Sequence, residues 1–418
     1  MRTIRSFLAL AALALTLASC GHRIEVPEFV GEAGEVLARM VETPSGRVAL
    51  PLKTDGPRIV DQSGTRVRLV SVNWFGAESG SFVVGGLDKQ AIAQIARTIR
   101  AGGFNSVRLP WSNEMVETNP VIEARYLSAN PDLVGKTALE VFDAVIDGLG
   151  REGLLVILDN HRSRGDWCCD EEHGDGLWHT PAFPESAWLA DWREMAERYQ
   201  NRPNVIAAEL RNEIRPDPSQ GLTPTWGGAD PRTDWRAAAM RGGEVVLSVA
   251  PHWLIIVGGL RYQEDLIDVR SAPILLSVQN RVVYAAHDYA WWRTPAELAD
   301  PAAFAAGSQR RWGYILSPGQ NYTAPVYVSE WGGCVQPSAQ GQPCPADRAA
   351  YFYAFAQYAQ ASGIDYAYWP LNGTQSAGYN RTEGAPESYG LLDATWSRYA
   401  NAEAMDALMG EAEVEAPH

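Results

Sequence analysis

The sequence predicts a single (β/α)8 barrel, a TIM barrel of the α/β class, on three observations. Eight short apolar segments rich in β-branched residues recur along the chain, and amphipathic segments of helical length separate them. Strands and helices that alternate in this way form parallel sheets. The first apolar segment lacks the glycine-rich phosphate turn that usually follows the first strand of a doubly wound sheet, so we expect the sheet to close into a barrel.

The predicted elements follow in order along the chain. The eight strand segments are Val70–Trp74, Asn105–Leu109, Leu154–Asp159, Val205–Leu210, Leu254–Val257, Val282–Ala286, Val326–Ser329 and Tyr366–Trp369. The predicted helices between them include Asp88–Arg100, Ala138–Arg151, Glu185–Tyr199, Trp235–Ser248 and Asp347–Ala361. An early hairpin of Ile59–Asp61 and Val67–Leu69, around Ser63-Gly64, is expected to cover the bottom of the barrel.

These elements place one domain over residues 51–410. Residues 20–50 contain Gly, Pro and Glu without a sustained period, and we predict a tether or irregular leader there. Residues 411–418 are predicted to be an acidic tail. No internal repeat or Pro/Ser-rich linker indicates a second domain.

The first 19 residues have the features of an export signal. Arg2 and Arg5 precede an apolar run from Phe7 to Leu17 that is too short to span a bilayer permanently. The run ends in Leu17-Ala18-Ser19-Cys20, which resembles the site where bacterial lipoproteins are cut and lipidated. We therefore expect an exported protein with a lipid anchor at Cys20 in the cell envelope; an ordinary secretory signal is the alternative.

Export favours disulfide bonds among the other four cysteines. Cys334 and Cys344 flank a short loop rich in Gly, Pro and Gln and are the preferred pair, with a strained bond between adjacent Cys168 and Cys169 as the second candidate. A metal site of Cys168, Cys169 and His173 is the alternative. Neighbouring thiolates cannot easily ligate one ion tetrahedrally, so no metal is predicted.

Composition restricts the class of partner. The 35 basic and 50 acidic residues give a net charge of −15, which disfavours nucleic acids and other polyanions. The 15 Trp, 16 Tyr and 10 Phe residues offer flat faces with polar edges, which suit a neutral, partly apolar ligand.

Polar side chains collect at the carboxyl ends of the predicted strands, where barrel enzymes place their active sites. The third segment ends in Asp159-Asn160-His161, the fourth leads into Asn212-Glu213 and the seventh into Glu330. Chance would scatter such groups over helix faces, so we interpret them as one site. Glu213 and Glu330 are predicted to face each other over the barrel mouth.

Two facing carboxyl groups are the minimum equipment for cleaving a glycosidic bond, one protonated and the other ionised. Arg108 is expected beside Glu330, where it favours ionisation and makes Glu330 the nucleophile. Glu213 is then the acid/base. Supporting positions in the site are assigned to Asn212, His161, His287, Tyr289 and Trp369, the last as the floor of the subsite before the cut.

At these residues the sequence resembles glycoside hydrolase family five, and within it the bacterial secreted endoglucanases. The matching segments are Val72-Asn73-Trp74-Phe75-Gly76, Gly103-Phe104-Asn105-Ser106-Val107-Arg108-Leu109-Pro110, Ile157-Leu158-Asp159-Asn160-His161-Arg162, Asn212-Glu213, His287-Asp288-Tyr289, Ser329-Glu330-Trp331-Gly332 and Tyr389-Gly390-Leu391-Leu392. The resemblance implies a retaining enzyme that acts on β-linked glycans and needs no cofactor. It also implies supporting roles for Arg108, His161, Asn212, His287, Tyr289 and Trp369.

Two departures from the family pattern leave the substrate open. Arg211 and Ile214 flank Asn212-Glu213, where such cellulases usually have Leu-His-Asn-Glu-Pro, and the loop 165–179 looks more like divergent or plant-type members. We expect endo-acting hydrolysis of β-1,4-glucan, with mannan, xyloglucan and glucosylated lipids as alternatives. The candidates for stacking on sugar faces are Trp74, Trp111, Trp178, Trp291, Trp292 and Trp331, with Trp74 and Trp178 placed in the site. Core packing is the alternative for each.

Two other classes of protein remain as hypotheses. A non-catalytic glycan-binding lipoprotein would keep the aromatic residues but not need either glutamate. A metal-dependent barrel hydrolase would need a cluster of histidines, and of seven only His161 and His287 lie at strand ends. We expect a monomer that contacts a membrane only through its lipid anchor.

Overall fold

The computed structural model describes residues 39–167, 174–335 and 343–410. Two short antiparallel hairpins come first, and eight parallel strands follow them. The hairpin strands are β1 (Arg39–Thr43), β2 (Gly46–Leu50), β3 (Lys53–Asp55) and β4 (Arg58–Val60). The barrel strands are β5 (Val70–Asn73), β6 (Ser106–Ser112), β7 (Leu155–Arg162), β8 (Val205–Glu209), β9 (Leu254–Gly258), β10 (Val282–Asp288), β11 (Val326–Trp331) and β12 (Asp365–Tyr368).

The eight strands β5 to β12 close into one barrel in chain order, because β12 pairs in parallel with β5. The predicted fold class is therefore confirmed, and each barrel strand overlaps the segment predicted for it. The strands are buried on both faces, which explains their continuous apolar sequence.

Within the described residues, eight α-helices lie between barrel strands along the chain, and a ninth follows the last strand. Their bounds are α1 (Ile92–Ala101), α2 (Asn113–Thr118), α3 (Ala138–Arg151), α4 (Glu185–Tyr199), α5 (Trp235–Val249), α6 (Pro295–Ala299), α7 (Pro301–Arg311), α8 (Ala346–Ser362) and α9 (Ala402–Met409). Two of them, α3 and α4, have the predicted bounds. The pair α6 and α7 was not predicted, because α7 is rich in Ala and buries little besides Phe304, so its apolar period is weak.

The bottom of the barrel is closed by the hairpins. Val48, Leu50 and Ile59 pack with inward-facing residues of the barrel strands, such as Ile157 and Ile256, in one apolar cluster. The prediction that the segment around Ser63-Gly64 covers the bottom is confirmed by the antiparallel bridge from Val60 to Arg66 and by Ile59 and Leu69 in the core.

The predicted irregular leader needs a correction at its end. Residues 39–50 form the hairpin of β1 and β2, whose side chains Val48, Ala49 and Leu50 are buried. The exposed strand β1 carries charged residues, which hid the strand period in the sequence. The described part of the domain thus begins at residue 39 rather than 51.

The interior of the barrel changes from apolar to polar toward the carboxyl ends of the strands. On β7, Leu155 and Ile157 face inward in the lower layers, and Asp159 occupies the next inward position. On β6 and β8, the corresponding upper positions are Arg108 and Glu209, both fully buried. The alternation of the strands therefore aims charged groups at one mouth of the barrel.

The favoured disulfide bond is present, with Cys334 and Cys344 joined at a Cα–Cα distance of 5.7 Å. The signal segment 1–19, Cys20, most of the leader, Cys168, Cys169, His173 and the tail 411–418 lie outside the described residues. Among the helices that are described, none combines the length and the apolar character needed to cross a bilayer.

Replacing Leu50 with Ala tests whether the first hairpin belongs to the folding unit. Because Leu50 packs against the barrel floor, we expect the free energy of unfolding to fall by about 2–5 kcal/mol in urea titrations. The control is Met40→Ala on the same hairpin, where Met40 is 48% exposed and the expected change is within about 0.5 kcal/mol. Equal, small effects would show that the hairpin is not part of the cooperative domain.

Candidate active site

The guanidinium of Arg108 lies at the centre of the polar mouth. Burial would ordinarily disfavour its charge, but the carboxylates around it hold the pKa of Arg108 well above its usual range. The acceptors and counterions within 3.1 Å of its nitrogen atoms are Glu209, Glu330, Asp159, Asn73 and Asn212. The pairing with Glu209 uses both carboxylate oxygens, at 2.7 and 3.0 Å, and fixes the plane of the guanidinium.

Glu330 and Glu213 come together at this centre. Glu330, near the end of β11, accepts a hydrogen bond from Arg108 Nη1 at 2.8 Å and one from the Tyr289 hydroxyl at 3.1 Å. Glu213 follows β8, and its backbone has a left-handed φ of +47°. One carboxylate oxygen of each glutamate and one ring nitrogen of His287 all lie within 4.8 Å of one another.

The two glutamates differ in how their charge is supported. Burial raises the pKa of Glu213 to about 7 and that of Glu330 to about 7, and the approach of Glu213 adds to the rise at Glu330. Two carboxylates this close repel each other, so the pair favours holding one proton near neutral pH. Arg108 and Tyr289 both donate to Glu330, and these hydrogen bonds favour the charged form of that carboxyl group.

His287 lies between the glutamates as a neutral imidazole. Burial lowers the pKa of His287 to about 4. Its Nδ1 atom is 2.9 Å from Glu213 Oε1 and 3.5 Å from Glu330 Oε2, so a proton on Nδ1 is donated mainly to Glu213.

The remaining predicted polar residues reach the same centre. His161 contacts Asp159 through Nδ1 at 2.6 Å, and its ring stacks on Trp369 with centroids 5.7 Å apart. Burial and the charge of Arg108 lower the pKa of His161 well below its usual range, so it is neutral as well. Asn212 accepts from Arg108 at 2.8 Å and lies 3.4 Å from His161 Nε2. Trp369, half-buried, also stacks on Phe75 at 5.4 Å.

Trp74 and Trp178 need a correction, because both are fully buried in the core. The indole N–H of Trp74 donates to the Gly85 carbonyl, and that of Trp178 donates to Glu185. Neither ring has a face for a sugar. The same burial excludes Trp111 and Trp331, whereas Trp291 is 52% exposed and Trp292 half-buried.

Sequence reasoning missed three buried residues of the site: Glu209, Asp159 as a partner of Arg108, and Gln263. Glu209 accepts from Arg108, from Ser329 Oγ at 2.9 Å and from Gln263 Nε2 at 3.2 Å. The alternation of inward and outward positions along a strand could have identified Glu209 and Asp159. An acidic residue at the upper inward position of a buried strand needs a cation beside it. No such signal existed for Gln263, which lies in an irregular segment after β9.

The described residues include one cluster of donors that could hold a cation, formed by Glu213, His287 and Glu330. These are oxygen and nitrogen ligands of the kind that a divalent metal accepts. However, Arg108 already supplies a positive charge 2.8 Å from Glu330 Oε1, so the charge of this carboxylate is balanced within the protein.

A closed (β/α)8 barrel with two adjacent buried glutamates at the carboxyl ends of its strands has the architecture of a glycoside hydrolase. The chain belongs to glycosyl hydrolase family 5: the cellulase model of that family matches residues 60–375. The predicted class of enzyme, a glycoside hydrolase, is thereby confirmed.

Known relatives place the chain among the endoglucanases of this family. It is 34% identical over 337 residues to an endoglucanase of Paenibacillus polymyxa, covering 76% of this chain and 79% of that protein. It is 35% identical over 244 residues to the major extracellular endoglucanase of Xanthomonas campestris pv. campestris, covering 56% of this chain and 48% of that one. A cellotetraose complex of an endocellulase variant from Pyrococcus horikoshii superimposes with a TM-score of 0.71 at 27% identity, over 86% of this chain and 98% of the other.

Glu78, in the loop after β5, is a buried carboxyl group at the edge of this network. Its Oε2 atom accepts from the Gly76 N–H at 2.7 Å, and Oε1 has no hydrogen-bond partner among the described residues. Burial raises the pKa of Glu78 from its ordinary value of 4.5 to about 7. The folded protein therefore keeps a proton here that the unfolded chain releases.

We predict that Glu78→Gln removes part of the pH dependence of stability. Between pH 4.5 and 7 the unfolded chain ionises at Glu78 while the folded protein does not, so wild-type stability falls with rising pH by up to about 1.4 kcal/mol per unit from this group. The variant lacks this loss, and the difference between the two proteins reaches a plateau above pH 7. Urea titrations from pH 4 to 8 measure the free energy of unfolding of both proteins. If it varies with pH in the same way in both, Glu78 does not retain a proton in the folded protein.

Proposed function

We propose that the protein is a retaining endo-1,4-β-glucanase that uses Glu330 as the nucleophile and Glu213 as the acid/base. The observation that carries this proposal is the approach of the two carboxylates, with one oxygen of each within 4.8 Å. Retaining glycosidases have their two carboxyl groups about 5–5.5 Å apart, whereas inverting enzymes need about 6.5–9.5 Å to hold a water molecule between them.

The first step forms a glycosyl-enzyme. Glu330 Oε attacks the anomeric carbon while the bond to the leaving oxygen breaks, and the proton of Glu213 passes to that oxygen. In the second step Glu213, now ionised, takes a proton from water. The water oxygen bonds to the anomeric carbon, the ester bond to Glu330 breaks, and both carboxyl groups return to their initial states.

The contacts of the two glutamates support this division of roles. Glu330 accepts hydrogen bonds from Arg108 and from Tyr289, which stabilise the charged nucleophile before attack and after its release. Glu213 lies against the neutral His287. Burial of the Glu213 carboxyl group favours the protonated form that the first step needs.

The substrate class is supported by the aromatic groups beside the glutamates and by the relatives. Trp369, Phe75 and Trp167 form a partly exposed aromatic cluster next to His161. Within it, the ring centroids of Phe75 and Trp167 lie 5.0 Å apart. Such faces suit the apolar sides of β-linked glucose units. The relative from Pyrococcus horikoshii forms a complex with cellotetraose, a β-glucan fragment of this class.

We infer that the enzyme is exported, as the extracellular relative from Xanthomonas campestris is, and that it acts as a monomer without a cofactor. Lipidation of Cys20 is part of this proposal and rests on the sequence motif. Mass spectrometry of the protein isolated from membranes would detect an acylated Cys20, and Cys20→Ser would release the protein from the membrane fraction.

Substitution of the two glutamates should separate their roles. We predict that Glu330→Gln lowers kcat on all substrates by about 10⁴-fold or more, because no ester can form. Glu213→Ala should lower kcat/KM about 10²–10⁴-fold on cello-oligosaccharides but spare the first step for dinitrophenyl glycosides, which need little protonation. Equal losses on both substrate types would contradict an acid role for Glu213.

A hydrolysis screen tests the substrate and the stereochemistry together. We expect soluble β-1,4-glucan and cello-oligosaccharides to be cleaved faster than mannan, xyloglucan or glucosylated lipids. Proton NMR of the first product should show the β-anomer. The α-anomer would overturn the retaining mechanism. Binding to glucans with no release of reducing ends would support a non-catalytic role instead.

A further inference from the structure

An unusual backbone segment follows β9, directly behind Glu213. Arg261, Tyr262 and Gln263 have φ values of +50°, +61° and +60°, three consecutive left-handed residues that are not glycine. Each is disfavoured by contact between its Cβ and the backbone, so the surrounding structure must hold the segment in place. Strain of this kind persists where neighbouring contacts fix it, and here the side chain of Gln263 and the main chain of Tyr262 and Gln263 supply such contacts.

The Gln263 side chain is fully buried between the two halves of the active site. Its Oε1 atom accepts the backbone N–H of Glu213 at 2.6 Å, and its Nε2 atom donates to Glu209 at 3.2 Å. These partners fix the orientation of the amide, because a backbone N–H needs an acceptor and a carboxylate needs a donor. The side chain packs over Gly258, where an added Cβ would lie 2.4 Å from Gln263 Cδ.

The main chain of Gln263 reaches the same group of residues. Its carbonyl accepts the backbone N–H of His287 at 2.9 Å, and the imidazole of His287 contacts Glu213 Oε1. The neighbouring residue Tyr262 contacts the segment after Glu213, because its N–H donates to the Ile214 carbonyl at 3.1 Å. Gln263 and its turn thus fix both the left-handed backbone of Glu213 and the imidazole beside its carboxyl group.

We propose that Gln263 is a positioning residue for the acid/base, holding Glu213 in the left-handed conformation that aims its carboxyl group at the leaving oxygen. This inference rests on the proposed role of Glu213. Without the acceptor at Oε1, the Glu213 N–H loses a buried hydrogen bond of 2.6 Å, and the backbone of Glu213 gains freedom to relax toward an ordinary conformation. Glu330 accepts its hydrogen bonds from Arg108 and Tyr289, and Gln263 reaches Arg108 indirectly, through Glu209, so we expect the larger effect on proton transfer.

The test uses Gln263→Met, which keeps the length of the side chain and removes both hydrogen bonds. On cello-oligosaccharides, where the leaving group needs its proton, we expect kcat/KM to fall about tenfold or more. On a dinitrophenyl cellobioside we expect formation of the glycosyl-enzyme to be spared and its hydrolysis to be slow. Azide needs no general base: its nitrogen bonds to the anomeric carbon as the ester bond to Glu330 breaks, so it should restore turnover and give the β-glycosyl azide.

Two further variants complete the experiment. Arg261→Ala alters the same turn at a side chain that is 66% exposed, and it should leave all three readouts at wild-type values. Glu213→Ala defines the signature of a lost acid/base. In the double variant Glu213→Ala/Gln263→Met, we expect the azide-supported rate to equal that of Glu213→Ala, because Gln263 acts through Glu213.

The possible failures can be told apart. If Glu213→Ala itself lacks azide rescue, the proposed role of Glu213 fails and the inference fails with it. If azide rescues Glu213→Ala but Gln263→Met loses activity equally on cello-oligosaccharides and on the dinitrophenyl cellobioside, only the inference on Gln263 is overturned. Should Gln263→Met not fold, Gln263→Glu retains an acceptor for the Glu213 N–H; its loss of folding too would overturn a positioning role in favour of a purely structural one.

Discussion

The buried charge of Arg108 is the constraint on which the active site depends. A guanidinium without water must be paired on every side, since an unpaired charge in a barrel core costs several kcal/mol. Its partners come from β7, β8 and β11 and from the segment after β8, so one ion fixes the relative positions of distant parts of the chain. Precise placement of the carboxylates is therefore a consequence of balancing this charge.

The burial of these charges also accounts for the proton that the proposed mechanism needs. Around Arg108 lie four carboxyl groups, those of Asp159, Glu209, Glu213 and Glu330, and burial raises the pKa values of Asp159, Glu213 and Glu330 to about 7. Burial outweighs the attraction of Arg108, Arg211 and Arg215 for these carboxylates, so the cluster favours retaining protons near neutral pH. His161 and His287 do not supply the missing charge, because burial keeps both imidazoles neutral.

Much of this structure could be predicted from the sequence, for identifiable reasons. The barrel strands are buried on both faces and so have continuous apolar sequences, which made them predictable. Glu330 was predicted from its position near the carboxyl end of such a strand. The first hairpin escaped prediction because its exposed strand is polar. Trp74 and Trp178 were misplaced because composition does not reveal which side of a strand or loop a large ring occupies. Gln263 escaped because three left-handed residues without glycine leave no pattern in a sequence.

The two glutamates are held in different ways, and their chemistry explains the difference. As the proposed nucleophile, Glu330 must be ionised when it attacks and again when it leaves, so a fixed counterion and a hydroxyl donor at its oxygens favour the state it needs. As the proposed acid/base, Glu213 must give up a proton in one step and take one in the next. A contact to its backbone N–H orients the residue without engaging the carboxyl oxygens, so this contact favours neither protonation state. The hydrogen bond from the main chain of Glu213 to Gln263 therefore suits the changing charge that the proposed mechanism gives to Glu213.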